Sequence, residues 1–457
     1  MSREKKLLIL IYILPLIYGI TYIAVFGTNL IIGDDWIFLN SWFEYKETGD
    51  LWNALWTPLF GHIEVLPKII QYATLPFCHW DVKVVMFEMQ IFVFLAYIIF
   101  VKQAKYRCFD DGKFELEKNG KKFIICVVGL SFVCFSAIHW ETYTWAVNIG
   151  IVMCFMFTVL CFYLFSRYFD TNNYKYLLGT VISLISAALC HGTGFAICAV
   201  ITGMFLVELV MSRYYKERVD YRAYIVIAVG ILCCIILYKD VLGSEVKLSE
   251  NVIYYLNYYL IISGDMFAPG YGFGEPYMFI YAGILGLVEN VLSLIIFIRL
   301  IKYNQVKKYR FELYLMAFSV CFRIMVVLQR SGLGYVSALY SHYAISSVLN
   351  IASLVLIFAG EGFVICRHAQ VSKIISRRIV IAYKSIMILF IAYSMACLVV
   401  SYGSMKTRRE KVNTLLNYAT EKNGEFMILG LWPDEETALF EIKRAEDNRV
   451  SVFYYVE

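Results

Sequence analysis

The feature that most limits what this chain can become is the recurrence of apolar runs, most of them about 18 to 24 residues long. A helix needs roughly that length to cross a bilayer core of about 30 Å. Charged residues make up only 17% of the sequence, against about a quarter in soluble proteins, so a water-facing surface is in short supply. The runs predict an all-α polytopic membrane protein with about eleven transmembrane helices. They fall at 6–27, 82–101, 123–139, 146–166, 177–190, 194–211, 223–239, 278–299, 311–329, 343–366 and 379–401. The first run follows Arg3, Lys5 and Lys6 as a secretory leader would, but it is too long for one and no small-residue cleavage site follows. It reads as a retained first span.

The net charge of +5 is a topology signal, with no bearing on nucleic acid. Basic residues gather in alternate loops: Lys102 to Lys122, Arg213 to Arg222, Arg299 to Arg310 and Arg367 to Arg378. The positive-inside rule puts these and the N-terminus in the cytoplasm. Parity turns on 177–211, which as one helix would run about 50 Å, too long for one crossing. His191-Gly192-Thr193-Gly194 supplies a break, so two short helices meeting outside are expected. The C-terminus is then external. Residues 1–401 form the membrane domain, with external loops at 28–81 and 240–277. The second of these carries a tyrosine stripe (Tyr254, Tyr255, Tyr258, Tyr259). The tail, 402–457, reads as a small α/β appendage: a strand at Glu425 to Trp432, a helix opened by Pro433-Asp434-Glu435, and a strand at Val450 to Val456. The 13 cysteines lie mostly inside spans and show no metal or redox spacing.

Residues suited to chemistry gather on the external side. Asp34 and Asp35 follow the first span as adjacent carboxylates. Such a pair either holds a divalent cation or supplies a general base with a neighbour to orient it. The same loop adds His62, Glu64 and Lys68, a plausible acid/base set. Glu141 sits in a short second loop between Trp140 and Trp145, an aromatic pair typical of the membrane boundary. Arg330 and His342 flank the loop before the tenth span, where a guanidinium fork suits phosphate oxygens. Inside the spans Glu88, Glu289 and Arg323 need partners, since a mid-membrane charge costs roughly 2.5–3.5 kcal/mol. Their depths suggest that Glu88 pairs with Arg323.

With these positions in hand, the chain resembles the multi-spanning glycosyltransferases of the GT-C superfamily that use polyprenyl-phosphate sugars, and within them a bacterial branch. The resemblance is carried by Asp34-Asp35-Trp36 after the first span, His62 to Pro67-Lys68, Glu141 with Trp145, the break at His191 to Gly194, and Arg330-Ser331-Gly332 through Ser341-His342-Tyr343. It covers roughly residues 5 to 400 by order of motifs, with His342 where the branch carries an arginine. It implies an inverting transfer at the bacterial plasma membrane. The donor is a polyprenyl-phosphate-linked sugar, the acceptor is an extracytoplasmic glycan, lipid or cell-wall polymer, and membrane lipids surround the site. Asp34 or Asp35 is the implied base, with His62, Glu64 and Glu141 supporting it and Arg330, His342 and Lys68 on the donor phosphate. Dependence on a divalent cation (Mg or Mn), held by Asp34 and Asp35, stays open. A polysaccharide polymerase or ligase would place its main loop late in the chain, and a transporter or flippase would show inverted repeats and a midplane polar site.

Overall fold

The computed structural model describes residues 3–58, 62–109, 116–216, 221, 223–238, 251–268, 276–361, 392–414, 416 and 435–455. It is helical, with no strand among those residues. The helices are α1 (Arg3–Phe26), α2 (Asp35–Thr48), α3 (Leu51–Trp56), α4 (Val65–Thr74), α5 (Lys83–Cys108), α6 (Leu116–Phe135), α7 (Trp140–Thr144), α8 (Ile149–Thr171), α9 (Tyr174–Ala188), α10 (Ala196–Tyr214), α11 (Ala223–Tyr238), α12 (Val252–Ser263), α13 (Pro276–Lys302), α14 (Arg310–Arg330) and α15 (Ala344–Glu361). Two more follow: α16 over 392–414 and α17 (Glu435–Asp447).

Among the described residues eight helical segments are long and apolar enough to cross a membrane: Ile9–Phe26, Lys83–Cys108, Gly120–Thr144, Ala146–Thr171, Gly192–Tyr214, Tyr277–Lys302, Arg310–Leu333 and Ser341–Gly360. Three shorter apolar helices, Tyr174–Ala188, Tyr224–Cys233 and Val252–Ser263, accompany them. Leu14 and Ile17 on α1, Ile231 and Ile235 on α11, and Leu294 and Ile298 on α13 are about half exposed. Rows of bare aliphatic side chains like these are accounted for by lipid tails, which stand in for the missing protein partner.

Local sequence sets the ends of these helices. Gly49 closes α2 in the left-handed conformation (φ 74°), its N–H bonded to Tyr45 O, and Asn172 closes α8 in the same way (φ 55°). Asn173 then caps α9 by accepting from Lys175 N, so two residues turn the chain by a hairpin. The break expected inside 177–211 is present: α9 stops at Ala188 and a 3-10 turn over Gly192–Phe195 starts α10.

At one end of α14, ion pairs tie helices together: Arg310 to Glu208 on α10 at 2.6 Å, and Arg107 at the end of α5 to Glu312 at 2.7 Å. The other end of α14 carries Arg330. Midway lies a buried polar cluster. Arg323 Nη2 donates to Glu289 Oε1 on α13 (2.7 Å) and to Ser347 on α15, and Asn350 donates to the same carboxylate oxygen. Arg323 is therefore paired with Glu289; Glu88, its expected partner, lies against Thr74.

The tyrosine stripe at helical spacing lies on α12, which packs on α13 and α14, and Tyr258 and Asp265 of this segment are buried. Its tyrosines are anchors: Tyr254 donates to Ser331 O, Tyr258 pairs with Ser337 Oγ, and Tyr259 donates to Asn290 Oδ1. A further expectation changes in the tail, where residues 451–455 are 3-10 helix and not strand. Here the turn buries Val452 and Phe453 as a short docking peg. The expected strand at 425–432, residues 362–366 of the tenth span and the first part of the span at 379–401 lie outside the described residues. The tail closes over the first loop: Arg444 pairs with Glu47 (2.6 Å) over the ring of Phe43, and Tyr454 stacks on His79 at 3.5 Å.

Candidate functional site

The loop after α1 turns at Gly33, whose φ of +51° a side chain would strain. Trp145 fixes that turn from the neighbouring loop by donating its indole N–H to Ile32 O (3.2 Å). Asp34 occupies the N-cap of α2, yet its side chain makes no capping hydrogen bond. Its carboxylate faces a cavity of about 120 Å³. Asp35, one residue on, points elsewhere: it is buried, and Oδ2 accepts from Ile32 N (3.4 Å). Adjacent positions at a helix start differ by about 100° in direction, which separates the two acids.

The same cavity is lined by His62, Glu64, His191, Arg330 and His342, with Asn148, Thr193, Gln329, Trp145 and Tyr343 between them. Its volume corresponds to about four waters' share of liquid. His62 and Glu64 arrive from the segment before α4, which Leu66 N ties to Leu189 O (3.1 Å) in the break between α9 and α10. That tie brings the His62 ring onto His191, with centroids 4.3 Å apart. Glu64 lies against Gly150 of α8, where a Cβ would meet Glu64 Oε2 at 2.5 Å. Only glycine leaves room there. Arg330 comes from the end of α14, and His342 from the 3-10 turn Ser341–Tyr343 that opens α15.

Electrostatics sorts these groups. Burial raises the Asp34 carboxyl above its ordinary value, while Arg330 and His342 pull it back. Burial pushes Asp35 up to about 8 and Glu64 well above the carboxylate range, so both favour the protonated form at neutral pH. Burial, with Arg330 adding to it, lowers His62 to about 4, and His191 falls well below its usual value from burial and the neighbouring His62. Both imidazoles are neutral. Thr193 N donates to His191 Nδ1 (3.3 Å), so that nitrogen holds a lone pair and the ring's proton sits on Nε2. The cavity thus holds two carboxyl groups, Glu64 strongly biased to its protonated form and Asp34 beside a guanidinium that favours its ionised form.

Two expected site residues act at one remove. Glu141 does not line the cavity; Oε2 accepts from Ser341 N (3.0 Å) and lies 3.7 Å from His342 Nδ1, while Ser341 Oγ receives the N–H groups of Glu141 and Thr142. It holds the His342 turn in place. Lys68 does not line the cavity either: it is 1% exposed, and Nζ donates to Ala54 O and Thr57 O, both at 2.7 Å. Two of its three N–H donors satisfy the carbonyl end of α3. Asp34 lines the cavity while Asp35 Oδ2 accepts from Ile32 N, and no group of three or more His, Cys, Asp or Glu among the described residues is placed to hold a metal ion. His191, Asn148 and Gln329 were not singled out by sequence as site residues. The one signal for His191 was its place in a glycine-rich break.

No family model, no curated protein and no solved structure matches this chain. What its helices and cavity define is a multi-pass membrane protein, helical over the described residues, with an acid, histidine and arginine cavity at one end of the bundle.

Proposed function

We propose that the chain is a membrane glycosyltransferase that moves a sugar from a polyprenyl-phosphate donor to an extracytoplasmic acceptor. One observation carries the reading: Asp34, His62, Glu64, Arg330 and His342, spread over some three hundred residues of sequence, line a single cavity. In this reading the membrane is a bacterial plasma membrane, and the positive-inside rule favours that end on its outer face with the N-terminus in the cytoplasm. The eight helices among the described residues that are long and apolar enough to cross a membrane suit the lipid in which such a donor dissolves.

In this mechanism Asp34 takes the proton of the acceptor hydroxyl. The freed electron pair forms the new bond to the anomeric carbon from the face opposite the leaving group. The bond from that carbon to the phosphate oxygen breaks, and polyprenyl phosphate departs with its electron pair, so the configuration inverts. Partial burial lifts Asp34 toward greater basicity while Arg330 and His342 favour its ionised form. Arg330 and the Nε2–H of His191 are donors suited to the charge that builds on the phosphate. Asp35 and Glu64, both biased to the protonated form, are poorly suited to accept the proton.

The test compares cell-envelope glycan between wild type, a deletion strain, and Asp34→Asn and Asp35→Asn variants whose membrane insertion has been checked. Asp34→Asn should reproduce the deletion, a loss of about 10²-fold or more in transfer, and Asp35→Asn should retain glycan. Unchanged glycan in correctly inserted protein carrying both substitutions would defeat the assignment.

A further inference from the structure

Between α12 and α13 the chain carries an acid that none of the chemistry above uses. Asp265 opens a 3-10 turn, Asp265–Phe267, and is 3% exposed. That turn packs on α12, α13, α15 and the turn Ser341–Tyr343, which carries His342. Asp265 Oδ1 lies 2.9 Å from Ser347 Oγ of α15, and Oδ2 is buried without a hydrogen-bond partner. The charges acting on Asp265 are Arg323 of α14 and Glu289 of α13, which already pair with each other at 2.7 Å. Tyr258 and Tyr259 of α12 bond to Ser337 and Asn290, and His342 and Tyr343 line the cavity.

Charge and hydrogen counting point the same way. Arg323 and Glu289 neutralise each other, so an ionised Asp265 would be a third, unmatched charge buried among helices. Ser347 has one hydroxyl proton and three polar neighbours: Arg323 Nη2 (2.9 Å), Asp265 Oδ1 (2.9 Å) and Ser263 O (3.3 Å). Arg323 is a donor, so the hydroxyl serves only one of the two oxygens. A proton on Asp265 Oδ1 resolves the conflict. The carboxyl then donates to Ser347 Oγ, and the hydroxyl is released to Ser263 O. A metal ion would need several oxygen ligands at about 2.0–2.6 Å. Backbone packing is too close for that: a Cβ on Gly264 would collide with Ala282 O of α13, and one on Gly286 with Leu260 O of α12. A proton needs no space of its own.

We propose that Asp265 is a proton-binding site, holding H⁺ between its Oδ1 and Ser347 Oγ in the folded protein. The bound proton completes the hydrogen bonds that tie the end of α12 to α15. Its loss leaves a bare charge where the turn Ser341–Tyr343 packs, so the site links pH to the seating of His342 in the cavity. The proposal does not depend on the transferase reading.

Infrared spectra of the full chain in detergent at neutral pH test it. Asp265→Asn should remove one protonated-carboxyl absorption, and its amide keeps the fold by donating to Ser347 Oγ where the acid proton did. Ser347→Ala leaves Asp265 itself in place and should shift the same absorption by removing its hydrogen-bond partner, a readout independent of how well the Asn variant folds. Unchanged protonated-carboxyl absorption in both variants would overturn the site. Unfolding against pH gives a second readout. An acid that binds its proton more tightly when folded adds stability that is complete below its unfolded pKa, about 3.9, and is lost as pH rises through its folded value. Within that window the folding equilibrium constant of wild type should fall more steeply than that of Asp265→Asn, by up to about tenfold per pH unit. Equal slopes would overturn the proposal. Replacing sodium and potassium by choline at constant ionic strength should leave wild-type stability unchanged, and a stability that needs either metal ion would overturn the proton in favour of a cation.

Discussion

Removing Glu289 from beneath Arg323 is the perturbation whose size the structure sets most directly. The guanidinium and the carboxylate are 0% and 4% exposed and meet at 2.7 Å, so water screens neither. At an effective dielectric near 20, unit charges about 4 Å apart attract by about 4 kcal/mol. Desolvation of both ions offsets much of that gain in the intact pair, but a single substitution leaves the offset without the attraction. Glu289→Gln or Arg323→Met alone should therefore destabilise by about 3–5 kcal/mol. The double variant, with no charge left to strand, should lose less than the sum, by a coupling of about 2 kcal/mol or more. Arg323 also holds Ser346 and Ser347, and Asn350 shares the Glu289 oxygen, so part of each loss falls outside the pair. Equilibrium unfolding in mixed micelles measures all four corners of the cycle. A coupling below about 0.5 kcal/mol, the level expected of independent sites, would refute the reasoning. The same cycle run with Glu88→Gln in place of Glu289→Gln should be additive.

Lys68→Met should destabilise by about 2–3 kcal/mol, because Ala54 O and Thr57 O lose a charged donor, while the KM for the lipid-linked donor stays unchanged in the folded fraction. A KM that rises tenfold or more would return Lys68 to the site. Asp35, raised to about 8 from an ordinary 3.8, binds its proton more tightly folded than unfolded, so its contribution to stability falls as pH rises from about 4 to about 8. Asp35→Asn should flatten that part of a stability–pH profile. His62 has the opposite sense: lowered to about 4, it costs stability as pH falls from 6.5 toward 4, and His62→Gln should reduce the acid-side slope. Glu141→Ala should reduce transfer about tenfold or more by freeing the His342 turn, with Glu141→Gln retaining most activity, since its amide oxygen still accepts from Ser341 N. Equal losses in the two variants would mean that the charge acts and not the hydrogen bond.

The sequence by itself determined the parts that depend on solvent and on local turns. Apolar runs of span length leave a bilayer as their only compatible solvent, and the break at His191 to Gly194 follows from its turn residues. Clustering in the first loop was equally legible, since Asp34, His62 and Glu64 lie within thirty or so positions of one another. Partnership was not legible. Depth alone matched Arg323 to Glu88, and only the packing of α13 against α14 and α15 brought Glu289 within 2.7 Å of it. Nor does composition tell a lysine that meets a ligand from one that caps a helix; the hydrogen bonds of Lys68 come from the carbonyl end of α3 folding back onto α4. The two adjacent acids show the division most plainly. Sequence presents Asp34 and Asp35 as a pair, whereas the helix that starts between them sends one into the cavity and the other toward the backbone of Ile32. Patterning reports which residues share a solvent, and tertiary structure decides which of them share a neighbour.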